Sequence, residues 1–246
     1  MIKKTVLITG AARGIGRACA KLFAENDYQV AIHCHSSKEH AKQLEKEIKQ
    51  MGKNCVLVYA DISNPEEVRS MVQTVKAVYG SIDVLVNNAG IAQQKLLTDI
   101  SDEEWKTMFA INIDGVFYCC KAVLPDMISK KSGKIINISS IWGMVGASCE
   151  VHYSASKAAV IGFTKALAKE VGPSHITVNC VAPGVIDTEM NNSLDAETIA
   201  ALKEETPLGV IGCVDDIANT VYFLSSKQSD FITGQVISPN GGFVIS

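Results

Sequence analysis

The chain of 246 residues has no stretch approaching the roughly 20 consecutive apolar residues of a membrane-spanning helix, since Gly, Ser or a charge breaks each candidate run. It also lacks a basic stripe. Its 23 Lys and Arg and 26 Asp and Glu are interspersed and leave a net charge of -3, which offers a phosphate backbone no row of cations. Neither membrane nor nucleic acid is therefore an expected partner. From Met1 the sequence passes through Lys3 and Lys4 straight into Thr5-Val-Leu-Ile-Thr9, with no apolar segment and small-residue cleavage site, which predicts a cytoplasmic location. The 8 cysteines form no CxxC pair; Cys119 and Cys120 are adjacent, and Cys19, Cys55 and Cys180 lie within apolar runs. Free buried thiols in a reducing compartment are expected, with no disulfide framework and no metal site. Linkers, low-complexity tracts and internal repeats are absent as well, so a single domain over 1–246 is predicted.

A 47% hydrophobic content is enough for a sizeable core. Short β-branched runs recur at Thr5–Ile8, Gln29–His33, Cys55–Tyr59, Val84–Asn87, Lys134–Ile138, Thr177–Val181 and Gln235–Ser238. Segments of helical spacing lie between and after them, at Ile15–Asn26, Lys38–Met51, Pro65–Tyr79, Asp102–Ile128, Ser154–Val171, Asp195–Glu205 and Asp215–Leu224. This alternation predicts an α/β fold, a Rossmann-type doubly wound parallel sheet of about seven strands with helices on both faces. The polar segment at about 189–212, beside the Pro183-Gly184 break, reads as an inserted helical flap or as an ordinary surface helix and loop.

Gly10-Ala-Ala-Arg-Gly-Ile-Gly16 follows the first strand and opens the first helix. Glycines there let the backbone approach a pyrophosphate and present it to a helix N-terminus, so Gly10, Ala12, Arg13, Gly14, Ile15 and Gly16 are candidate dinucleotide ligands. The end of the second strand decides the cofactor, because an acid there would bind an adenosine ribose and repel a 2′-phosphate. The sequence is His33-Cys34-His35-Ser36-Ser37, without an acid. Arg13 supplies a guanidinium, Ser36 and Ser37 supply hydroxyls, and an imidazolium at His35 would be favoured beside a phosphate. NADP is expected over NAD.

Tyr153 and Lys157 are four residues apart on a helical segment and so share a face. The lysine's ammonium is expected to lower the phenol's pKa and to reach a cofactor ribose, and the tyrosine then exchanges a proton with a carbonyl oxygen. Alone, this spacing arises by chance in many helices. Ser140 gives it weight, since it ends an apolar strand at the sheet edge where such folds bind ligands, and its hydroxyl can hold a substrate oxygen. Asn112 is an amide in an apolar helical stretch; burial would oblige it to find backbone or water partners, and it is a candidate anchor for a proton-relay water.

With those residues in view, the chain resembles the short-chain dehydrogenase/reductase family over essentially its whole length. Thr9-Gly-Ala-Ala-Arg-Gly-Ile-Gly16, Asp61-Ile62, Asn87-Asn-Ala-Gly90, Asn112, Ser140, Tyr153-Ser-Ala-Ser-Lys157 and Pro183-Gly-Val-Ile-Asp-Thr188 occur in family order. The resemblance implies a catalytic tetrad of Asn112, Ser140, Tyr153 and Lys157. It implies cofactor contacts from Asp61 and Ile62 at the adenine, from Asn88, Ala89 and Gly90 along the dinucleotide, and from Pro183, Gly184, Ile186 and Thr188 near the carboxamide and phosphates. A homotetramer is implied too.

Within that family the chain is most similar to bacterial 3-oxoacyl-acyl-carrier-protein reductases, in Gly172-Pro-Ser-His-Ile-Thr-Val-Asn179, Thr206-Pro-Leu-Gly209 and Asn240-Gly-Gly242. A ketone on acyl carrier protein is the substrate this implies. Those reductases commonly carry an arginine where this chain has Ser174 and His175; Lys130 and Lys131 offer positive charge or form a solvated helix end. The loop from Ser140 to Tyr153 carries Trp142, Cys149 and Glu150, and with Gly90-Ile-Ala-Gln-Gln-Lys95 it resembles reductases of the 5-aminopentanone modification on elongation factor P. Trp142 and Glu150 are thus candidate substrate contacts beside Ser140 and Tyr153. Glu150 suits a cationic substrate, or is an exposed loop acid with no ligand. An NADP-sensing binding module would use the same fold without needing the tyrosine; an assembly scaffold would need neither Tyr153 nor Lys157.

Overall fold

The computed structural model describes residues 3–189 and 195–245. Seven strands form one parallel sheet: β1 (Thr5–Ile8), β2 (Gln29–Cys34), β3 (Cys55–Tyr59), β4 (Val84–Asn87), β5 (Gly133–Ile138), β6 (Ile176–Val181) and β7 (Val236–Ile237). Their order is β3-β2-β1-β4-β5-β6-β7. Alternate side chains of each strand feed opposite faces, and both faces are buried. Val6, Ile8, Val30, Ile32, Val84 and Val86 join one core, whereas Leu7, Ala31, Leu85, Ile135 and Val178 join the other. The first core is closed by α1 (Gly14–Glu25), α2 (Lys38–Gln50) and α9 (Val214–Ser225). The second is closed by α3 (Pro65–Tyr79), α5 (Gly115–Lys130) and α7 (Val151–Val171). The doubly wound α/β architecture expected from the alternation is the observed one.

Local chemistry sets the helix starts. Asn64 accepts from the N–H groups of Glu66 and Glu67 ahead of Pro65, and Ser101 with Glu104 forms a capping box at α4 (Asp102–Phe109). α1 differs: Arg13 precedes it in extended backbone and supplies no side-chain cap. The single helix expected over Asp102–Ile128 is instead α4, a π turn at Ala110–Asp114, and α5. The whole run Asp102–Lys130 is long and apolar enough, by length and composition, to cross a membrane. Here it rests on α3, β4 and β5, with Val116, Cys119, Cys120, Val123 and Met127 buried. A short helix, α6 (Trp142–Val145), was not anticipated, and α8 spans Ala196–Glu205. Of the proposed flap at 189–212, residues 190–194 lie outside the described part of the chain.

Sheet order places the site. The chain leaves β1 toward β2 on one side, while β4 pairs on the other, so the crossovers diverge and open a crevice at the carboxyl ends of the strands.

Candidate active site

The glycine turn is built from close approaches. Gly10 has φ +63, and a Cβ there would lie 2.9 Å from Ala89 Cα; Gly14 has φ +51, with Thr188 3.6 Å from where its Cβ would stand. Thr9 Oγ1 accepts from the N–H groups of Asn88 and Ala89, both at 3.0 Å, while the Asn88 amide donates to the carbonyls of Thr9 (2.9 Å) and Gly10 (3.1 Å). The loop after β4 is thereby stitched to the turn after β1. The first-turn N–H groups of a helix have no intrahelical partner, and the Arg13 side chain does not cap those of α1, the arrangement that suits an anionic diphosphate. Gly16 acts differently from the other glycines: its Cβ would come within 2.5 Å of Asn88 Nδ2 and of the Gly10 carbonyl, so it permits helix-on-loop packing and does not line the crevice.

The crevice is a cleft of about 970 Å³. Gly10, Ala12, Arg13, Gly14 and Ile15 line it from the glycine turn, His35, Ser36 and Ser37 from the end of β2, and Asp61 and Ile62 from beyond β3. Asn88, Ala89 and Gly90 line it after β4; Ser140, Trp142, Glu150, Tyr153 and Lys157 after β5 and on α7; Pro183, Gly184, Ile186 and Thr188 after β6. A long cleft with an uncapped helix at its middle and hydroxyls at one end fits a dinucleotide. Arg13, read from the sequence as a phosphate ligand, is paired with Glu189 at 2.6 Å, both about half exposed. Gln93 and Gln94, from the segment 90–95, and Glu189 and Leu202, from the segment 189–212, also line the cleft, although the sequence marked none of the four as a site residue.

At the other end Ser140, Tyr153 and Lys157 converge, 7%, 8% and 5% exposed, and this shielding governs their protonation. Ser140 Oγ accepts the Trp142 N–H at 3.2 Å and leaves its own proton free to donate. Lys157 Nζ donates to the Ile138 carbonyl at 3.0 Å and lies 5.7 Å from the centre of the Tyr153 ring. Burial pulls the Lys157 amine down to about 8. Burial also pushes the Tyr153 phenol up to about 12, against a lowering contact from Ser140, with Glu150 raising it further. The expectation that Lys157 lowers the phenol is not met here: burial is the largest influence on Tyr153, and the lowering contact comes from Ser140.

Asn112 does not line the cleft. Its Oδ1 accepts the Ile91 N–H at 2.9 Å, and its Nδ2 donates to the Ile91 carbonyl at 2.9 Å and to Ser156 Oγ at 3.0 Å. The amide thus pins the loop after Gly90 from below, satisfying the expectation that it needs backbone partners. Glu150 is held by Gln94 Nε2 at 3.2 Å, and burial raises its carboxyl. Next to it Glu104 accepts from Lys95 and Gln93, each at 2.8 Å, and Gln93 Oε1 lies 3.0 Å from His152 Nε2, so the loop at 91–95 is tied to both α4 and the start of α7. Trp142 packs edge-on to Phe243 of the C-terminal turn, with ring centres 5.6 Å apart.

A parallel sheet with a switch point, an uncapped glycine turn and a Ser–Tyr–Lys cluster in one cleft defines a dinucleotide-binding α/β protein of the oxidoreductase kind. The family described as enoyl-(acyl carrier protein) reductase matches residues 10–244. The chain is 44% identical over 239 residues to the 3-oxoacyl-acyl-carrier-protein reductase FabG of Staphylococcus aureus, covering 97% of each. It is 43% identical over 241 residues to the protein of the same name from Staphylococcus epidermidis, covering 98% of this chain and 99% of the relative. With that of Chlamydia trachomatis it shares 42% over 242 residues, 98% of each. The chain belongs to the short-chain dehydrogenase/reductase family, whose members are oxidoreductases that use a nicotinamide cofactor.

Proposed function

We propose that the protein reduces a ketone to a secondary alcohol with NADPH, its substrate a 3-oxoacyl group carried on acyl carrier protein. The observation that carries this reading is the convergence of the Ser140, Tyr153 and Lys157 polar groups in one shielded end of a dinucleotide-shaped cleft. The names of the relatives at 42–44% identity supply the substrate class. Ser36, Ser37, His35 and Arg13, without an acid at the end of β2, support the 2′-phosphate form of the cofactor.

When bound, the nicotinamide supplies hydride for the carbonyl carbon. Tyr153 donates its proton to the carbonyl oxygen, and a phenol near 12 holds that proton throughout the neutral range. The Ser140 hydroxyl donates to the same oxygen and fixes it. Lys157 would hold the nicotinamide ribose and, through a water that Asn112 behind Gly90 would anchor, return a proton to Tyr153 from solvent. The homotetramer is the proposed assembly, and exposed Trp105, Phe117 and Ile128 on α4 and α5 supply apolar surface for it.

A second reading, reduction of the 5-aminopentanone group on elongation factor P, is favoured by Glu150. Its carboxylate lines the cleft with one amide partner, so an ammonium on the substrate would meet a half-desolvated anion. The two readings separate in an NADPH-oxidation assay run with a 3-oxoacyl thioester and with aminopentanone-modified elongation factor P. Rapid use of the thioester alone is the expected result, and use of the modified factor alone would establish the second reading. Tyr153→Phe is expected to abolish turnover of whichever substrate is used while sparing NADPH binding; near-normal turnover would overturn the mechanism.

A further inference from the structure

His33, on β2, is 1% exposed and takes no part in the chemistry above. Its Nδ1 accepts the Gly10 N–H at 3.1 Å, its Nε2 lies 3.0 Å from the Ala60 carbonyl, and its own carbonyl accepts the Ala11 N–H at 2.8 Å. A carbonyl oxygen carries no proton, so Nε2 must be the protonated nitrogen; Nδ1 then has the lone pair that Gly10 requires. Both contacts are met by one neutral tautomer and by no charged form, since a proton on Nδ1 would face the Gly10 N–H donor to donor.

We infer that His33 is a positioning residue for the dinucleotide: its neutral ring spans the turn after β1 and the end of β3 and fixes the Gly10 N–H, and with it the glycine turn that receives the diphosphate. The inference rests on the dinucleotide reading and gives His33, which itself lines the cleft, a role that acts through the Gly10 N–H. Gly10 has little freedom to compensate, because its positive φ and its contact with Ala89 define the turn. The charged groups acting on the ring are His35, just past the end of its strand, which disfavours its protonation, and Asp61 beyond β3, which favours it; the glycine turn contributes Arg13, held by Glu189. Burial is the largest influence and keeps the ring neutral below the usual imidazole range.

The test is NADP⁺ titration of the full chain by calorimetry, with kcat measured at saturating NADPH. Loss of one buried acceptor in His33→Leu is expected to weaken NADP⁺ binding about tenfold with kcat changed less than about twofold. His33→Asn, whose Oδ1 falls near the place of Nδ1 and can still accept from Gly10 although the shorter amide does not reach Ala60, is expected to recover most of the affinity lost in His33→Leu. Wild-type affinity in His33→Leu, or binding in His33→Asn no tighter than in His33→Leu, would each overturn the inference. Should His33→Leu fail to fold, His33→Asn decides alone, and a loss of affinity of about tenfold in it would overturn the inference. A wild-type protein that binds no NADP⁺ at any pH would instead overturn the dinucleotide reading itself.

Discussion

Among the described residues, Lys157 is a buried amine that donates to the Ile138 carbonyl, with no carboxylate beside it. Its descent from 10.5 to about 8 corresponds to roughly 3 kcal/mol of destabilisation in its charged form. The folded protein holds this proton less tightly than the unfolded chain, so the penalty is complete below about pH 8, shrinks as pH rises toward 10.5, and is gone above it. Lys157→Met is therefore expected to stabilise the cofactor-free protein at pH 7 by about that amount, to do so much less at pH 10.5, and to lose turnover. Denaturant melts at the two pH values check it; a Lys157→Met variant less stable than wild type at pH 7 contradicts the account. Spacing alone puts Lys157 on one helix face with Tyr153. It does not reveal that a carbonyl rather than a carboxylate meets the amine, because Ile138 arrives from β5.

At the scale of elements, the π turn at Ala110–Asp114 joins α4 and α5 where the sequence reads as one helix. A π turn admits one extra residue and re-aims the side chains beyond it, and here Asn112 lies within it, turned inward against Ile91. Composition carries no mark of this, since changing which carbonyl each N–H meets leaves the apolar pattern nearly intact. That Asn112 is buried and partnered was legible from its apolar surroundings. Asn112→Ala would leave the Ile91 N–H and carbonyl unpaired, at an expected cost of roughly 2–5 kcal/mol in stability, with slower turnover because the loop after Gly90 loosens. Thermal and denaturant melts measure the first effect, steady-state rates the second, and a loss below about 0.5 kcal/mol would contradict this account.

Across the whole molecule, Arg13 from the turn after β1 meets Glu189 from the loop after β6, so the cleft is bridged at its rim. The pair is half exposed and worth at most about 1 kcal/mol. Yet it occupies the guanidinium that the proposed 2′-phosphate would use. Glu189→Gln is expected to raise the preference for NADPH over NADH by up to about fivefold, by tightening NADPH and leaving NADH unchanged. Equal shifts for both cofactors would show that Arg13 does not meet the 2′-phosphate. Spacing along the chain identified Arg13 but not its rival, which lies 176 residues away in sequence.

The sequence by itself determined the alternation of strand and helix, the glycine turn, and the residue types that make a Ser–Tyr–Lys cleft. Each of these is local: β-branched runs, a helix opening on glycine, and two side chains four residues apart answer to backbone sterics and periodicity. Tertiary structure decided what those groups experience. The tautomer of His33 depends on a carbonyl at the end of β3, the protonation of Tyr153 and Lys157 on how deeply the cleft shields them, and the availability of Arg13 on a loop that returns from β6. Electrostatic and hydrogen-bonding environments are sums over neighbours distant in the chain, so these properties appear only once the sheet has brought the ends of β1, β2, β4, β5 and β6 together.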